Sequence, residues 1–282
     1  MQGERPTRAL SRTGGLRRRD LVRFGTGGAV LVAGWACLPN ARAATGLEAA
    51  VAAAVGGRPL GPADLLTLDL AASYDFGNTV PLGVAVASPM NAADHVRRVS
   101  VFAQGNPFPD VVTFRFTPAN GIAKAETRIR LNEGTQEVVA VAELSDGRAL
   151  IARQKIKVAV SGCSAESGAG DTAAMPPPEP RVKIPAAAHR GEMVQIRTMI
   201  SHWMETGLRR DDSDQPIPRR IIQRMVCDLD GTEIFAADLT PAVAANAYLT
   251  FPLVARGAGR LTFTWTEDGG GIYRATEDLA VS

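Results

Sequence analysis

The chain has 282 residues, of which 45% are hydrophobic and 21% charged, and its formal net charge is +2. Eight arginines and two acidic residues fall within residues 1–43, so this segment carries +6 and the remainder carries −4. Because no later stretch interleaves clustered Lys and Arg with aromatic residues, the charge pattern excludes a nucleic-acid-binding protein. The length is sufficient for two domains of ordinary size.

The N-terminal segment has the pattern of a twin-arginine export signal. Arginines at Arg17, Arg18 and Arg19 precede a weakly apolar, glycine-containing stretch, and Ala41-Arg42-Ala43 forms a small-x-small cleavage site. The apolar stretch is shorter than the roughly 20 residues that a bilayer requires. We therefore predict a cleaved leader over residues 1–43 and a periplasmic mature chain that begins near Ala44 and has no membrane anchor.

The next segment predicts a short helix followed by a sandwich of strands over residues 44–160. Thr45 and Glu48 form a capping box before an alanine-rich run that Gly56 ends. From Thr79 onward apolar residues recur at every second position, and Ser145-Asp146-Gly147 is typical of a hairpin turn. The predicted strands are Val80 to Val86, Val99 to Ala103, Val111 to Phe116, Ala125 to Leu131, Val138 to Leu144 and Leu150 to Val160.

Alternation within one of these strands also predicts which side chains face outward. Lys124, Glu126, Arg128 and Arg130 alternate with apolar residues, so all four are expected on the polar surface. Among the aromatic residues, Phe114 and Phe116 are expected in the core. Phe108, with these two, is a candidate for a hydrophobic interface between lobes.

Residues 161–180 form a predicted linker between two lobes. Its first half is rich in Gly, Ser and Ala, whereas Pro176-Pro177-Pro178-Glu179-Pro180 favours a stiff extended spacer. Period-two alternation returns after Pro185 and predicts a second sandwich over residues 181–282. The fold class is thus all-β, with two immunoglobulin-like antiparallel β-sandwiches and a short N-terminal helix in the first lobe.

Cleavage of the leader would leave two cysteines, which differ in their surroundings. Cys227 shares one face of a predicted strand with Met225 and Leu229, the pattern of a core position. Cys163 lies in the linker between small residues (Ser161, Gly162 and Ser164), which is typical of a thiol that other molecules can reach. We therefore expect two separate thiols and no disulfide.

Three kinds of chemistry are open to such a thiol. Nucleophilic catalysis requires a positioned base, and none of the histidines beyond the leader has a recognisable spacing to Cys163. A copper-type site would use soft ligands, namely Met199, His202, Met204 and Cys227, but methionine in a strand is more often a core residue. The third is a covalent carrier without metal or cofactor, which is not itself an enzyme. The histidines beyond the leader, none of which has a recognisable spacing to Cys163, are His95, His189 and His202.

Long runs in both lobes resemble SoxY and SoxZ, two proteins of sulfur oxidation. Residues 106–118 and 139–147 resemble SoxY. Residues 200–209 resemble the Ser-His-Pro-Met-Glu-Thr-Gly segment of SoxZ, with Trp203 in place of the proline. Residues 218–222 and 245–249 resemble SoxZ as well. The resemblance covers nearly the whole mature chain, in the order SoxY then SoxZ.

This resemblance implies a non-catalytic carrier of thiosulfate-derived sulfur. Cys163 corresponds to the SoxY cysteine within Gly-Gly-Cys-Gly-Gly, and Ser161, Gly162 and Ser164 correspond to the carrier arm. The implied partners are a c-type cytochrome, a sulfate-releasing hydrolase and a sulfane dehydrogenase. Of the four glycines that flank the cysteine in that motif, this chain has only Gly162. In addition, the arm continues into a second lobe, whereas the arm of the family has a free end. SoxYZ-like fusions associated with quinoprotein (PQQ-dependent) alcohol dehydrogenases resemble this arrangement, so a quinoprotein partner is the alternative.

Two further segments of the second lobe have alternative interpretations. His202, Trp203, Met204 and Glu205 are candidates for an interface with the first lobe or a partner enzyme, or else for a hydrogen-bonded turn at a strand end. Residues 211–214 contain three aspartates but lack the glycine and the distal glutamate of a calcium loop, so we predict a solvated loop.

Overall fold

Strands dominate the part of the chain that the computed structural model describes, residues 41–162 and 177–282. The first half contains helix α1 (Ala41–Val55) and strands β1 (Leu66–Asp69), β2 (Ser73–Phe76), β3 (Val80–Val86), β4 (Val96–Ala103), β5 (Asp110–Phe116), β6 (Ala123–Ile129), β7 (Gly134–Leu144) and β8 (Ala149–Val160). The second half contains β9 (Pro180–Lys183), β10 (Ala187–Ala188), β11 (Met193–Ile200), β12 (Ile222–Leu229), β13 (Thr232–Leu239), β14 (Tyr248–Val254), β15 (Gly259–Glu267) and β16 (Ile272–Val281). The all-β prediction is confirmed.

Both sheets of the fold contain strands from both halves of the chain. One sheet has six strands in the order β1-β3-β6-β14-β11-β9, and the other has ten in the order β10-β16-β15-β12-β13-β5-β4-β7-β8-β2. Neighbouring strands pair antiparallel except in two edge pairs, β2 with β8 and β10 with β16, which are parallel. Buried side chains of both halves form one continuous hydrophobic core between the sheets.

The two halves meet where β13 pairs with β5 and β14 pairs with β6. The first of these pairings runs from Phe235 opposite Phe116 to Leu239 opposite Val112. At this junction the ring of Phe235 stacks on that of Phe251 with centroids 3.9 Å apart, and its centroid lies 5.5 Å from that of Phe116. Phe114 and Phe116 are buried, as expected. The hydrophobic core therefore continues from the first half of the chain into the second.

Helix α1 covers the outer face of β4 and β7 in the first half. Leu47 and Val51 pack against Phe102, Val139 and Val141, because apolar residues one helical turn apart share a face. The helix ends at Val55, before Gly56 at φ 59°, as predicted. It begins at Ala41, however, so the capping box at Thr45 and Glu48 does not mark its start.

Several predicted features fall outside the described residues. These are Cys163 and Ser164, most of the predicted leader, and the linker from residue 163 to Pro176. The predicted hairpin turn at Ser145-Asp146-Gly147 does connect β7 to β8, with Gly147 at φ 89°. Among the described residues, the helices are too short or too polar to cross a membrane.

Candidate functional site

The two residues before Cys163 are hydrogen-bonded to the first lobe. The backbone amide of Gly162 donates to the carbonyl oxygen of Leu131 at 2.8 Å, and Ser161 Oγ donates to Asn132 Oδ1 at 2.8 Å. On the adjoining segment, the amide of Gly77 donates to the carbonyl oxygen of Val160 at 2.8 Å. We call Ser161 and Gly162 the cysteine root.

Gly162 is buried because it packs directly on the backbone of Gly77. A Cβ atom at position 162 would lie 1.9 Å from the Gly77 carbonyl oxygen and 2.4 Å from the Asn78 amide nitrogen. A Cβ atom at position 77 would lie 2.0 Å from the Leu131 carbonyl oxygen. The prediction that a flexible linker begins at residue 161 is therefore wrong, because this close packing and the hydrogen bonds extend the folded lobe through Gly162.

A series of hydrogen bonds connects the cysteine root to the second half of the chain. Asn132 Nδ2 donates to the carbonyl oxygen of Gly105 at 2.9 Å, and the Asn132 amide donates to Asn106 Oδ1 at 3.2 Å. Asn106 Nδ2 in turn donates to the carbonyl oxygen of Arg130 at 3.0 Å. Asn132 and Asn106 thus connect the cysteine root to Arg130, which contacts the second half.

Arg130 is buried between the halves, with 2% of its surface exposed. Its Nη1 donates to the carbonyl oxygens of Met204 at 2.6 Å and Pro241 at 3.2 Å, and its Nη2 donates to that of Trp203 at 2.9 Å. The prediction that Arg130 faces outward is wrong. Strand β6 ends at Ile129, so the alternation does not continue, and the Arg130 amide bonds to the Ala242 carbonyl oxygen in the second half.

His202 is buried in the second half, and both of its ring nitrogens have partners there. Nε2 lies 2.9 Å from Glu267 Oε1, and Nδ1 accepts a hydrogen bond from the Met204 amide at 2.9 Å. Since Nδ1 must be an acceptor, the ring is neutral with its proton on Nε2. Burial lowers the pKa of His202, and the bond to Glu267 opposes this without overcoming it.

The remaining contacts around His202 are also internal. Burial raises the pKa of Glu267, but hydrogen bonds from His202 and Arg220 outweigh it and the net shift is downward. Glu205 is buried and accepts a hydrogen bond from Arg209 Nε at 3.0 Å. The segment from His202 to Glu205 therefore combines a hydrogen-bonded turn within the second half with two carbonyl contacts, through Trp203 and Met204, to the first half.

Three members of the candidate soft-metal set, His202, Met204 and Cys227, are buried in the fold. The His202 nitrogens are both engaged, and Met204 Sδ accepts a hydrogen bond from the Ile222 amide at 3.3 Å. Cys227 is a fully buried free thiol, and burial raises its pKa far above the ordinary thiol value. Across residues 41–162 and 177–282, no three His, Cys, Asp or Glu side chains come together as metal ligands. Residues 211–214 form an exposed turn in which Asp211 Oδ1 accepts from the Ser213 and Gln215 amides.

Protonation of His202 makes the fold sensitive to acid. Because the folded-state pKa lies below the unfolded value of about 6.5, its contribution to stability is complete above that pH and is lost as pH falls through the folded-state pKa. We expect the free energy of unfolding, measured with urea, to fall below pH 6.5 in the wild type and less steeply in His202→Asn. The exposed His189→Asn is the control; an equal acid sensitivity in His202→Asn would contradict the prediction.

These features define an immunoglobulin-like double β-sandwich whose halves share both sheets and whose cysteine root lies at the end of the first half. Residues 51–163 match the family model of the sulfur oxidation protein SoxY, and residues 182–278 match that of the sulphur oxidation protein SoxZ. The chain is a SoxY–SoxZ fusion and belongs to the sulfur-oxidation carrier proteins. Cys163 is the last residue of the SoxY match.

Three solved structures are similar to parts of the chain. The sulfur carrier protein SoxY from Chlorobium limicola f thiosulfatophilum is 25% identical, with a TM-score of 0.35 and coverage of 41% of this chain and 97% of that one. The superoxide reductase (neelaredoxin) from Ignicoccus hospitalis is 18% identical, with a TM-score of 0.31 and coverage of 33% and 79%. Fibronectin(III)-like modules of Clostridium thermocellum CbhA are 17% identical, with a TM-score of 0.24 and coverage of 77% and 94%. A search of the curated proteins found no match.

Proposed function

We propose that this protein is a periplasmic carrier that holds sulfur intermediates of thiosulfate oxidation covalently on Cys163 and presents them to partner enzymes. The observation that carries the proposal is the position of Cys163, which ends the SoxY match and directly follows the anchored cysteine root. The other mature thiol, Cys227, is buried and has a raised pKa, so it is unsuited to the task. The twin-arginine pattern supports the periplasmic location.

The proposed chemistry needs partner enzymes at each step. Thiosulfate joins the Cys163 thiolate through a new S–S bond, and the two electrons released pass to a c-type cytochrome. Water then attacks the terminal sulfonate, sulfate and two protons leave, and a persulfide remains on Cys163. A sulfane dehydrogenase then oxidises that outer sulfur to a sulfonate with oxygen from three water molecules, and six electrons pass to a c-type cytochrome while six protons leave. A second hydrolysis releases sulfate and two protons and frees the Cys163 thiolate.

The three histidines in the described part of the chain have polar contacts within the fold. His202 uses both ring nitrogens within the second half. His95 Nδ1 lies 3.1 Å from the Asn91 carbonyl oxygen, and His189 Nδ1 lies 3.0 Å from Ser282 Oγ. A cysteine reaches its reactive thiolate form through a nearby base or cation. We infer that the partner enzymes supply this activation within their clefts.

Replacement of Cys163 tests the proposal directly. After incubation with thiosulfate and the oxidised cognate cytochrome, intact-mass analysis is expected to show a thiosulfate adduct on the wild type and none on Cys163→Ser. Cys227→Ala is the control and should be modified like the wild type, because its thiol is buried. An adduct on Cys163→Ser, or no adduct on the wild type, would contradict the proposal.

The alternative is an accessory carrier associated with a quinoprotein alcohol dehydrogenase. It is favoured by one feature: the described chain is held in the fold on both sides of Cys163, by the Gly162 amide bond before it and by the pairing of β9 with β11 after it. A segment held at both ends enters a narrow cleft less readily than a free tail. This alternative predicts co-purification with a quinoprotein and no sulfur adduct on Cys163.

A further inference from the structure

We propose that Phe76 and Val160 form a docking surface for the apolar rim of the catalytic clefts that receive Cys163. We call these two residues the root patch. The inference rests on the proposed function of Cys163 and adds to it where the partner enzymes make contact.

The root patch continues the core-facing row of the ten-stranded sheet beyond the end of the core. Strands β2 and β8 pair in parallel, with Tyr74 opposite Val158 and Phe76 opposite Val160. Val158 is buried and Tyr74 packs against the core. Because side chains two residues apart point to the same face, Phe76 and Val160 lie on that face as well. They are nevertheless 61% and 50% exposed.

The root patch lies beside the cysteine root. Phe76 directly precedes Gly77, which packs on Gly162, and Val160 directly precedes Ser161. The three residues from Val160 to Cys163 span at most about 10 Å. A cleft that receives the Cys163 thiol must therefore close over the surface around Val160. Single exposed apolar residues are common, but this adjacent pair is placed where a partner has to make contact.

A second copy of this chain is a less suitable occupant of the root patch. β2 is the last strand of its sheet, and an open sheet edge can pair with another copy. The strand has only four residues, however, and short edge strands limit such pairing. The apolar rim of an enzyme needs no strand pairing, because it covers the two side chains directly.

The experiment compares two variants, Phe76→Ser and Val160→Thr, with a matched control. Val160→Thr preserves the shape of the side chain and its β-branch, so the fold should be retained. Leu60→Ser is the control, since Leu60 is also 61% exposed but forms a bridge with Ala149, at the opposite end of β8. The oxidised cytochrome and thiosulfate are used to load Cys163 at increasing carrier concentrations, and iodoacetamide alkylation without enzyme reports the reactivity of the thiol itself.

We expect kcat/KM for loading to fall about tenfold in Phe76→Ser, mainly through KM, and by a smaller factor in Val160→Thr. The alkylation rate should be unchanged in both, and Leu60→Ser should load like the wild type. Loading of Phe76→Ser at the wild-type rate overturns the inference while the proposed function stands. So does sedimentation that shows a wild-type dimer and a Phe76→Ser monomer, because the occupant is then a second copy. A wild type that acquires no adduct rejects the proposed function and the root patch with it.

Discussion

Replacing Gly162 with alanine is expected to lower the free energy of unfolding by about 1–3 kcal/mol, the usual cost of inserting a group into a packed site. The new Cβ atom would lie 1.9 Å from the Gly77 carbonyl oxygen, so the backbone must move and the hydrogen bond from Gly162 to Leu131 is lost or weakened. Urea unfolding measures the effect on the whole fold. Hydrogen exchange of the Gly162 amide reports the local detachment of the cysteine root.

Gly257→Ala provides the control for this prediction. Nothing lies within 4 Å of a Cβ atom built at Gly257, and its φ is not in the left-handed region. We expect this variant to keep the wild-type stability within about 0.5 kcal/mol, as surface substitutions usually do. Equal stabilities and equal amide exchange in Gly162→Ala and the wild type would show that the cysteine root is not held as described.

Replacing Arg130 with methionine is expected to cost about 3 kcal/mol. The substitution removes the donors to the carbonyl oxygens of Trp203, Met204 and Pro241 from a site between the halves. Methionine keeps most of the apolar volume, so the loss reports mainly on the hydrogen bonds. The measurement is the free energy of urea unfolding, followed by tryptophan fluorescence, because Trp203 and Trp265 both lie in the second half.

Arg128→Met, in strand β6 two residues before Arg130, is the matched control. The Arg128 guanidinium lies at the surface, 5.2 Å from the ring centroid of Tyr248. An exposed cation–π contact of this kind contributes about 0.5–1 kcal/mol. If Arg130→Met is no more destabilising than Arg128→Met, then the contact between Arg130 and the segment from His202 to Glu205 does not hold the halves together.

Local pattern was sufficient to predict most of the strands. The alternation in β3 and β8 and the turn at Ser145-Asp146-Gly147 all correspond to elements of the structure, because each depends on residues adjacent in sequence. The short edge strands β1, β2, β9 and β10 contain between two and four residues, too few for a period to be recognised. The alternation does not predict strand β14, because five adjacent residues of this strand are buried and no period of two results.

Contacts between distant parts of the chain account for what the sequence could not predict. The pairing of β13 with β5 joins the halves, and no local pattern specifies which edges meet. Arg130 has the spacing of a surface residue, but its hydrogen bond to Met204 spans 74 positions. From the sequence alone, Gly162 is expected only to be a small neighbour that keeps the Cys163 thiol accessible. The fold packs Gly162 directly on Gly77, so a side chain at this position would clash with the Gly77 backbone.

The continuity of both sheets across the halves bears on how the protein behaves at low concentration. If the same halves were separate chains, completion of the core around Phe116, Phe235 and Phe251 would be a bimolecular event, and dilution would favour dissociated halves with open strand edges. In one chain the same event is intramolecular, so its equilibrium is independent of concentration. The fused chain therefore keeps its SoxY half and its SoxZ half together even at high dilution.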